Sequence, residues 1–185
     1  MSRKSSRATG SATYQTAFGW VGIAWSSRGL VAITLPEPSE AGALSRLPQP
    51  GGSGSELPQG LDLPGLLQKL RGYFEGKPVT FDEPLDPTLG TELQRTVWAL
   101  TREIPRGQTR TYGELARRAG SPGAARAVGQ AMARNPWPII VPCHRVLGSD
   151  GSLTGFGGGV EMKRRMLEME GALVVDQPLL TGFQT

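Results

Sequence analysis

The sequence predicts an α+β protein: a small N-terminal α/β domain built on an antiparallel sheet, then a mostly helical C-terminal domain with a helix-turn-helix. Three observations carry this prediction. Short apolar runs separated by turn residues fill Tyr14–Leu35, a Pro/Gly-rich stretch follows them, and helical apolar spacing dominates from residue 91 onward.

The strands come first. Tyr14–Phe18 precedes a glycine, Trp20–Trp25 alternates large and small residues, and Ser26-Ser27-Arg28-Gly29 is a turn leading into Leu30–Leu35, so the segment reads as a hairpin or meander. Residues 36–65 hold six Pro and six Gly around Gly51-Gly52-Ser53-Gly54-Ser55, which predicts a flexible loop. Leu66, Leu67, Leu70 and Phe74 share a helical face that ends at Gly76 and Pro78. A second helix spans Thr91–Arg102, with Leu93, Val97 and Leu100 on one side. Thr111 and Glu114 form a capping box for a helix to Ala119, closed by Gly120. Ser121-Pro122 then predicts a new helix start with Pro at the first position, running to about Arg134. This pair is the helix-turn-helix. Glu161–Glu170 is the last helix, with Met162, Met166 and Met169 turned inward as core.

Charge divides the chain unevenly. Residues 91–170 carry 12 Lys/Arg against 7 Asp/Glu, a balance of +5, whereas residues 8–90 carry 5 against 8, a balance of −3. A basic half points to a polyanionic partner or to a solvated surface. The single cysteine excludes an intramolecular disulfide, which suits a reducing compartment and predicts a cytoplasmic protein. One Cys and one His exclude a Cys/His zinc cluster, so no metal is expected. Met1–Gly10 lacks the apolar core of a secretory signal, and no apolar run is long enough to span a membrane.

Chemistry concentrates in Pro142-Cys143-His144-Arg145-Val146. A lone cysteine is either a small buried hydrophobe or a reactive thiol. The neighbours favour the second reading, because His144 is the only histidine and an adjacent imidazole or cation lowers a thiol's pKa. Side chains adjacent in sequence rarely bond directly, so a water between Cys143 and His144 is expected. Glu170, in the last turn of its helix, meets the negative end of the helix dipole at a cost of about 0.3–1 kcal/mol. It is a solvated surface residue or the third group that orients a nucleophile's base.

These segments, taken in order, resemble the O6-alkylguanine-DNA alkyltransferase family. The resemblance rests on the run from Ala125 to Pro136, on Pro142–Val146, on Ile104-Pro105-Arg106-Gly107 and Thr111–Ala116 before them, and on Glu170-Gly171 after them. It covers roughly 85 residues closely, with looser likeness at Trp20–Pro36 and Tyr73-Phe74-Glu75-Gly76. The resemblance implies a single-turnover transfer of an alkyl group from O6 of guanine, flipped out of double-stranded DNA, to Cys143. His144 would deprotonate Cys143 through a water, Glu170 would hold His144, and Asn135 would brace the turns before the site. Tyr112 would protonate the leaving guanine, and Arg126 would replace the flipped base in the stack. Ala125, Ala127 and Gly129, with Thr111, would let the recognition helix lie close in the minor groove. Met132, Val146, Phe156 and Gly157 would line the guanine pocket. Position 157 is Gly where some members carry a hydroxyl residue, and position 156 is Phe where some carry Tyr. The N-terminal zinc ligands of some members are absent.

The expected organisation is an N-terminal domain over residues 1–90, a C-terminal domain over 91–175 and a tail over 176–185, acting as a monomer with no cofactor. The alternative is a non-enzymatic alkyltransferase-like damage-binding protein, against which Cys143 argues. A transcription regulator would place polar readers, not Ala and Gly, on its helix. A cysteine hydrolase would need an oxyanion hole and would turn over repeatedly.

Overall fold

The computed structural model describes residues 8–49 and 56–173. Most of the polar N-terminus, the Gly51–Ser55 loop centre and the 176–185 tail lie outside the described residues. Strands β1 (Gly10–Thr16), β2 (Gly19–Ser26) and β3 (Gly29–Ile33) form an antiparallel meander in the order β1-β2-β3. The α+β class and the antiparallel N-terminal sheet therefore stand as the sequence predicts. The β2–β3 register shifts between Ala24 and Trp25, which turns the end of β2.

The segment read as a loop over 36–65 contains a helix, α1 (Glu40–Arg46). Ser39 caps it by accepting from Gly42 N, Glu40 and Arg46 sit at the ends that suit the helix dipole, and Ala43 is fully buried. A helix of seven residues is marginal alone, so packing sustains it. That packing needs Gly22 in β2, where an added Cβ would lie 3.0 Å from the Ala43 carbonyl oxygen.

Helix α2 (Leu63–Phe74) starts three residues before the predicted Leu66, capped by Asp62 with Pro64 in its first turn. Helix α3 (Glu92–Arg102) carries a capping box between Thr91 and Gln94. Helix α4 (Tyr112–Arg118) has the capping box of Thr111 and Glu114 that the sequence shows. The next helix, α5 (Ala125–Ala133), begins later than predicted, and Pro122 is not its first residue. Ser121 N bonds back to Ala116 O to close α4, and Ala124 N bonds to Ser121 O, so residues 121–124 are spent on a turn. Helix α6 (Gly159–Met169) ends at Glu170, its C-cap.

One hydrophobic core runs through both halves of the chain. It joins Val21, Ile23 and Leu30 of the sheet to Leu66 and Leu70 of α2, Val97 and Trp98 of α3, Leu115 of α4 and Met166 of α6. Trp137 is its hinge: the ring packs edge-on against Trp98, with centroids 5.4 Å apart, and Nε1 donates to Leu30 O at 2.7 Å. Ile33 N donates to Pro136 O at 2.8 Å. The segment leading to Cys143 is thereby fastened to the edge of β3. No helix among the described residues is long and apolar enough to cross a membrane.

Candidate active site

Three chain ends converge on one buried point. Residues Cys143–Arg145 form a single 3-10 turn, followed by β5 (Val146–Leu147), which pairs in parallel with β4 (Arg110–Thr111). Helix α6 presents Lys163, Met166, Leu167 and Glu170 at helical spacing, and all four are buried. The end of α2 supplies Tyr73, which is 1% exposed.

Glu170 is the hub. Its Oε2 accepts from Arg145 Nε at 2.8 Å, and its Oε1 accepts from Arg145 Nη2 at 2.9 Å, from Tyr73 Oη at 2.7 Å and from His144 Nε2 at 2.9 Å. Burial alone would push the carboxyl's pKa up. The bonds from His144 and Arg145 outweigh it and hold the carboxyl well below the usual range. An ionised carboxylate only accepts, so the proton of neutral His144 resides on Nε2. That leaves Nδ1 as the basic nitrogen, and it is buried without a hydrogen-bond partner among the described residues.

Burial sets the charge state of the reactive pair. It pushes the Cys143 thiol up, against the opposing pull of an Asn135 hydrogen bond and the Lys163 charge. It pushes His144 down, outweighing the Glu170 hydrogen bond and charge that pull it up, and the Arg145 charge adds to the depression. The sequence expectation of a thiol lowered by its neighbour is therefore reversed. The resting pair is a thiol beside a neutral imidazole, not a thiolate–imidazolium pair.

Asn135 braces the approach to the site. Its Nδ2 donates to Val141 O at 2.8 Å and its Oδ1 accepts from Trp137 N at 3.0 Å. Between them Ile139 holds φ at 80°, a left-handed conformation that is costly for a β-branched residue. Lys163, fully buried, donates to Val146 O at 2.6 Å and Thr154 O at 3.1 Å, joining the site turn to the Gly-rich loop. Burial lowers its pKa to about 8, and a thiolate at Cys143 would pull the other way.

Beside this centre lies a cleft of about 480 Å³ lined by Tyr112, Gly129, Ala133, Thr154, Gly155, Phe156 and Gly157. Tyr112 Oη donates to Thr154 O at 3.2 Å, and burial raises its pKa, as a thiolate at Cys143 would further. Gly155 is required there: φ is +70° and an added Cβ would approach the Tyr112 oxygen to 3.2 Å. The Phe156 ring stands edge-on to His144, with centroids 6.5 Å apart. A larger groove of about 1380 Å³ runs beside β3 and touches Asn135 and Gly157; neither opening is lined by Cys143, His144 or Glu170, and the smaller one is tied to them through Phe156, whose ring meets His144.

A family model described as the DNA-binding domain of 6-O-methylguanine DNA methyltransferase matches residues 92–172, and one described as its ribonuclease-like domain matches residues 11–87. The chain belongs to the methylated-DNA–protein-cysteine methyltransferase family. A Mycobacterium tuberculosis relative of that name is 53% identical over 106 residues, 57% of this chain and 64% of the relative. This chain thus spans just under two thirds of that relative's length. The Mycobacterium leprae relative is 49% identical over 62% of this chain and 68% of its own length. The crystal structure of the M. tuberculosis O6-methylguanine methyltransferase covers 89% of this chain and 94% of its own, at 39% identity and a TM-score of 0.67. A structure of M. tuberculosis OGT in complex with DNA covers 88% of this chain and 92% of its own, at 40% identity and a TM-score of 0.69.

The structure gathers Cys143, His144, Glu170 and Asn135 at one centre and places Tyr112, Gly129, Phe156 and Gly157 on the adjoining cleft. Met132 and Val146, expected on the pocket wall, are buried in the core behind it, with Met132 Sδ 3.7 Å from the Thr101 hydroxyl. Arg126 is exposed on the first turn of α5, and Ala125, Ala127 and Gly129 are half-buried on that helix. Thr111 serves as the α4 cap. Sequence reasoning missed Tyr73, Arg145 and Lys163 as partners of the site. Lys163 had a readable signal: it precedes Met166, Leu167 and Glu170 by three, four and seven residues, which puts it on the inward face.

Proposed function

We propose that this protein repairs DNA by moving an alkyl group from O6 of guanine onto Sγ of its own Cys143, once per molecule. The observation that carries the reading is the hydrogen-bonded line from Glu170 to His144, which leaves Nδ1 as the basic nitrogen of the residue next to a protonated, buried thiol. In the reaction the Sγ–carbon bond forms as the carbon–O6 bond breaks. The thiol proton passes to His144 Nδ1 through a water, and the phenolic proton of Tyr112 meets the negative charge on the departing guanine. Proton return from imidazolium to phenolate balances the exchange, so in net terms the thiol hydrogen replaces the alkyl group. The direct check is the intact mass of the protein after exposure to duplex DNA containing O6-methylguanine.

The target base must leave the stack to reach Cys143, at a cost of a few kcal/mol. Arg126, exposed at the start of α5, fills the gap, while the small side chains of Ala125, Ala127 and Gly129 admit the helix to the minor groove. Met132 and Val146 support the guanine cleft from behind. The protein acts on this substrate as a monomer. Arg126→Ala is expected to slow repair of duplex DNA by about tenfold or more while sparing reaction with the free base O6-benzylguanine, since only the duplex must pay for extrusion. Equal losses on the two substrates would assign Arg126 to the fold.

The charge states make a further test. Transfer needs neutral His144, whose pKa is depressed by burial below its ordinary 6.5. The rate is therefore expected to stay level as pH falls to 6.5 and to drop only below it. Stability follows the same sign. The depressed groups favour the fold fully above their unfolded values, 6.5 for His144 and 4.5 for Glu170, and the contribution is lost as pH falls through the folded values. A rate that halves at or above pH 7 would show a pre-formed imidazolium and reject the neutral pair.

A further inference from the structure

We propose that Tyr73, from the N-terminal half of the chain, is a positioning residue for the alkyl transfer. Its phenol fixes the Glu170 carboxylate and the Nε2 edge of His144 in the arrangement that leaves Nδ1 as the unprotonated nitrogen, unpartnered among the described residues. This rests on the function proposed above and adds a residue 70 positions upstream of Cys143.

The geometry is specific. Tyr73 Oη donates to Glu170 Oε1 at 2.7 Å and lies 3.2 Å from His144 Nε2. Because its proton is spent on the carboxylate, the phenol's lone pairs are what it offers to Nε2–H. The imidazole proton thus faces two acceptors, Glu170 Oε1 at 2.9 Å and the phenol oxygen. A half-turn of the ring would put Cε1 where Nε2 sits and lose both. Arg145 holds both carboxylate oxygens, and the Tyr73 hydrogen bond is the further contact that ties Oε1 to the Nε2 edge of the ring.

A hydroxyl at this depth is costly unless it is used. The Tyr73 ring packs edge-on against Phe74 and Phe81, at centroid distances of 5.0 and 6.1 Å, so phenylalanine would satisfy the packing equally well. Burial also raises the phenol's pKa well above its usual value, which keeps it a neutral donor throughout. The meeting of the two helix ends is itself built. Arg106 donates to Gly76 O and Lys77 O just beyond α2 and to Met169 O at the end of α6, with its guanidinium 6.0 Å from the centre of the Tyr73 ring. One cation therefore ties the carbonyl ends of α2 and α6 together and sets Tyr73 against Glu170.

The chain's single histidine makes the test clean. In full-length Tyr73→Phe, the single-turnover rate on duplex DNA containing O6-methylguanine is expected to fall about tenfold to 100-fold, as for loss of one hydrogen bond to a charged group. DNA affinity stays as in wild type, and the protein still ends methylated on Cys143. In parallel, the ¹⁵N signals of His144 should show the pure Nε2–H form in wild type and a mixture in the variant. An unchanged rate overturns the proposal, and so does a slower rate with an unchanged ¹⁵N pattern, which marks a packing role. The wild-type protein supplies a check independent of how the variant folds: a proton–proton contact between the Tyr73 hydroxyl and His144 Nε2–H, whose absence also overturns it. Failure of wild type to gain a methyl group on Cys143 would instead reject the underlying function.

Discussion

After incubation with excess duplex DNA containing O6-methylguanine, every active molecule is expected to have gained the mass of one methylene, all of it on Cys143, with repaired DNA never exceeding protein. A thioether is a stable bond, and releasing its methyl group would require a second nucleophile aimed at that carbon and a good leaving group. The chain has no second cysteine, and its one histidine is bound to Glu170 through Nε2 with only Nδ1 free. Cys143→Ala removes the acceptor without disturbing the Glu170 hub, since no hydrogen bond of that hub runs through the sulfur. It should bind the damaged duplex and show no mass gain and no repair at any time. Sustained turnover with unmodified protein recovered at the end would refute the mechanism and favour a hydrolase.

The neutral resting pair has a chemical consequence. A thiolate held permanently ready would react with any electrophile that reached it. With the thiol pushed up and the imidazole pushed down by the same burial, the proposed mechanism makes nucleophilicity appear only when proton transfer to Nδ1 is coupled to attack on the alkyl carbon. On the proposed mechanism, substrate selection and activation would occur in one step, in a cleft whose wall includes Tyr112, the proposed acid.

What the sequence makes legible follows the range of the interactions. The capping box of Thr111 and Glu114, the turn glycine Gly120 and the inward Met166 are decided within four residues, and they read directly. The meander reads for the same reason. Helix α1 was hidden because its seven residues sit among prolines and glycines and depend on Ala43 packing over Gly22. The start of α5 was misplaced because Ser121 N serves the preceding helix, a choice that Pro122 does not reveal. At the site, adjacency marked Cys143 and His144, the helix-terminal position marked Glu170 as a surface residue or an orienter, and the family resemblance chose between those two. The Tyr73–Glu170 bond joins residues 97 apart in the chain, and no local pattern encodes it. The direction of the Cys143 shift was equally out of reach, because it depends on burial and not on the neighbouring residue type.

Glu170→Gln is expected to slow alkyl transfer roughly 100-fold at neutral pH, the scale of a general base deprived of its support, while leaving DNA affinity intact. The amide keeps the shape of the carboxylate but has one acceptor atom where Glu170 uses two, so it must turn its NH₂ toward either Arg145 or the His144–Tyr73 side. Either choice leaves a donor facing a donor. If it faces Nε2, the imidazole is driven to the other tautomer, with its proton on Nδ1 and no basic nitrogen toward Cys143. If it faces Arg145, a guanidinium that is only 11% exposed loses its counter-charge. Removing one partner of a buried pair costs about 3 kcal/mol, so thermal unfolding should shift down as well. DNA affinity is insulated because Glu170 is buried whereas Arg126 lies exposed on α5. The rate deficit should also shrink with rising pH, since a thiol that ionises in bulk alkali needs no base. Burial holds Cys143 above its ordinary 9.0, so wild type and variant should converge only above that pH. Parallel profiles that never converge would show that Glu170 acts on the fold alone, and equal rates across neutral pH would remove it from the proton path.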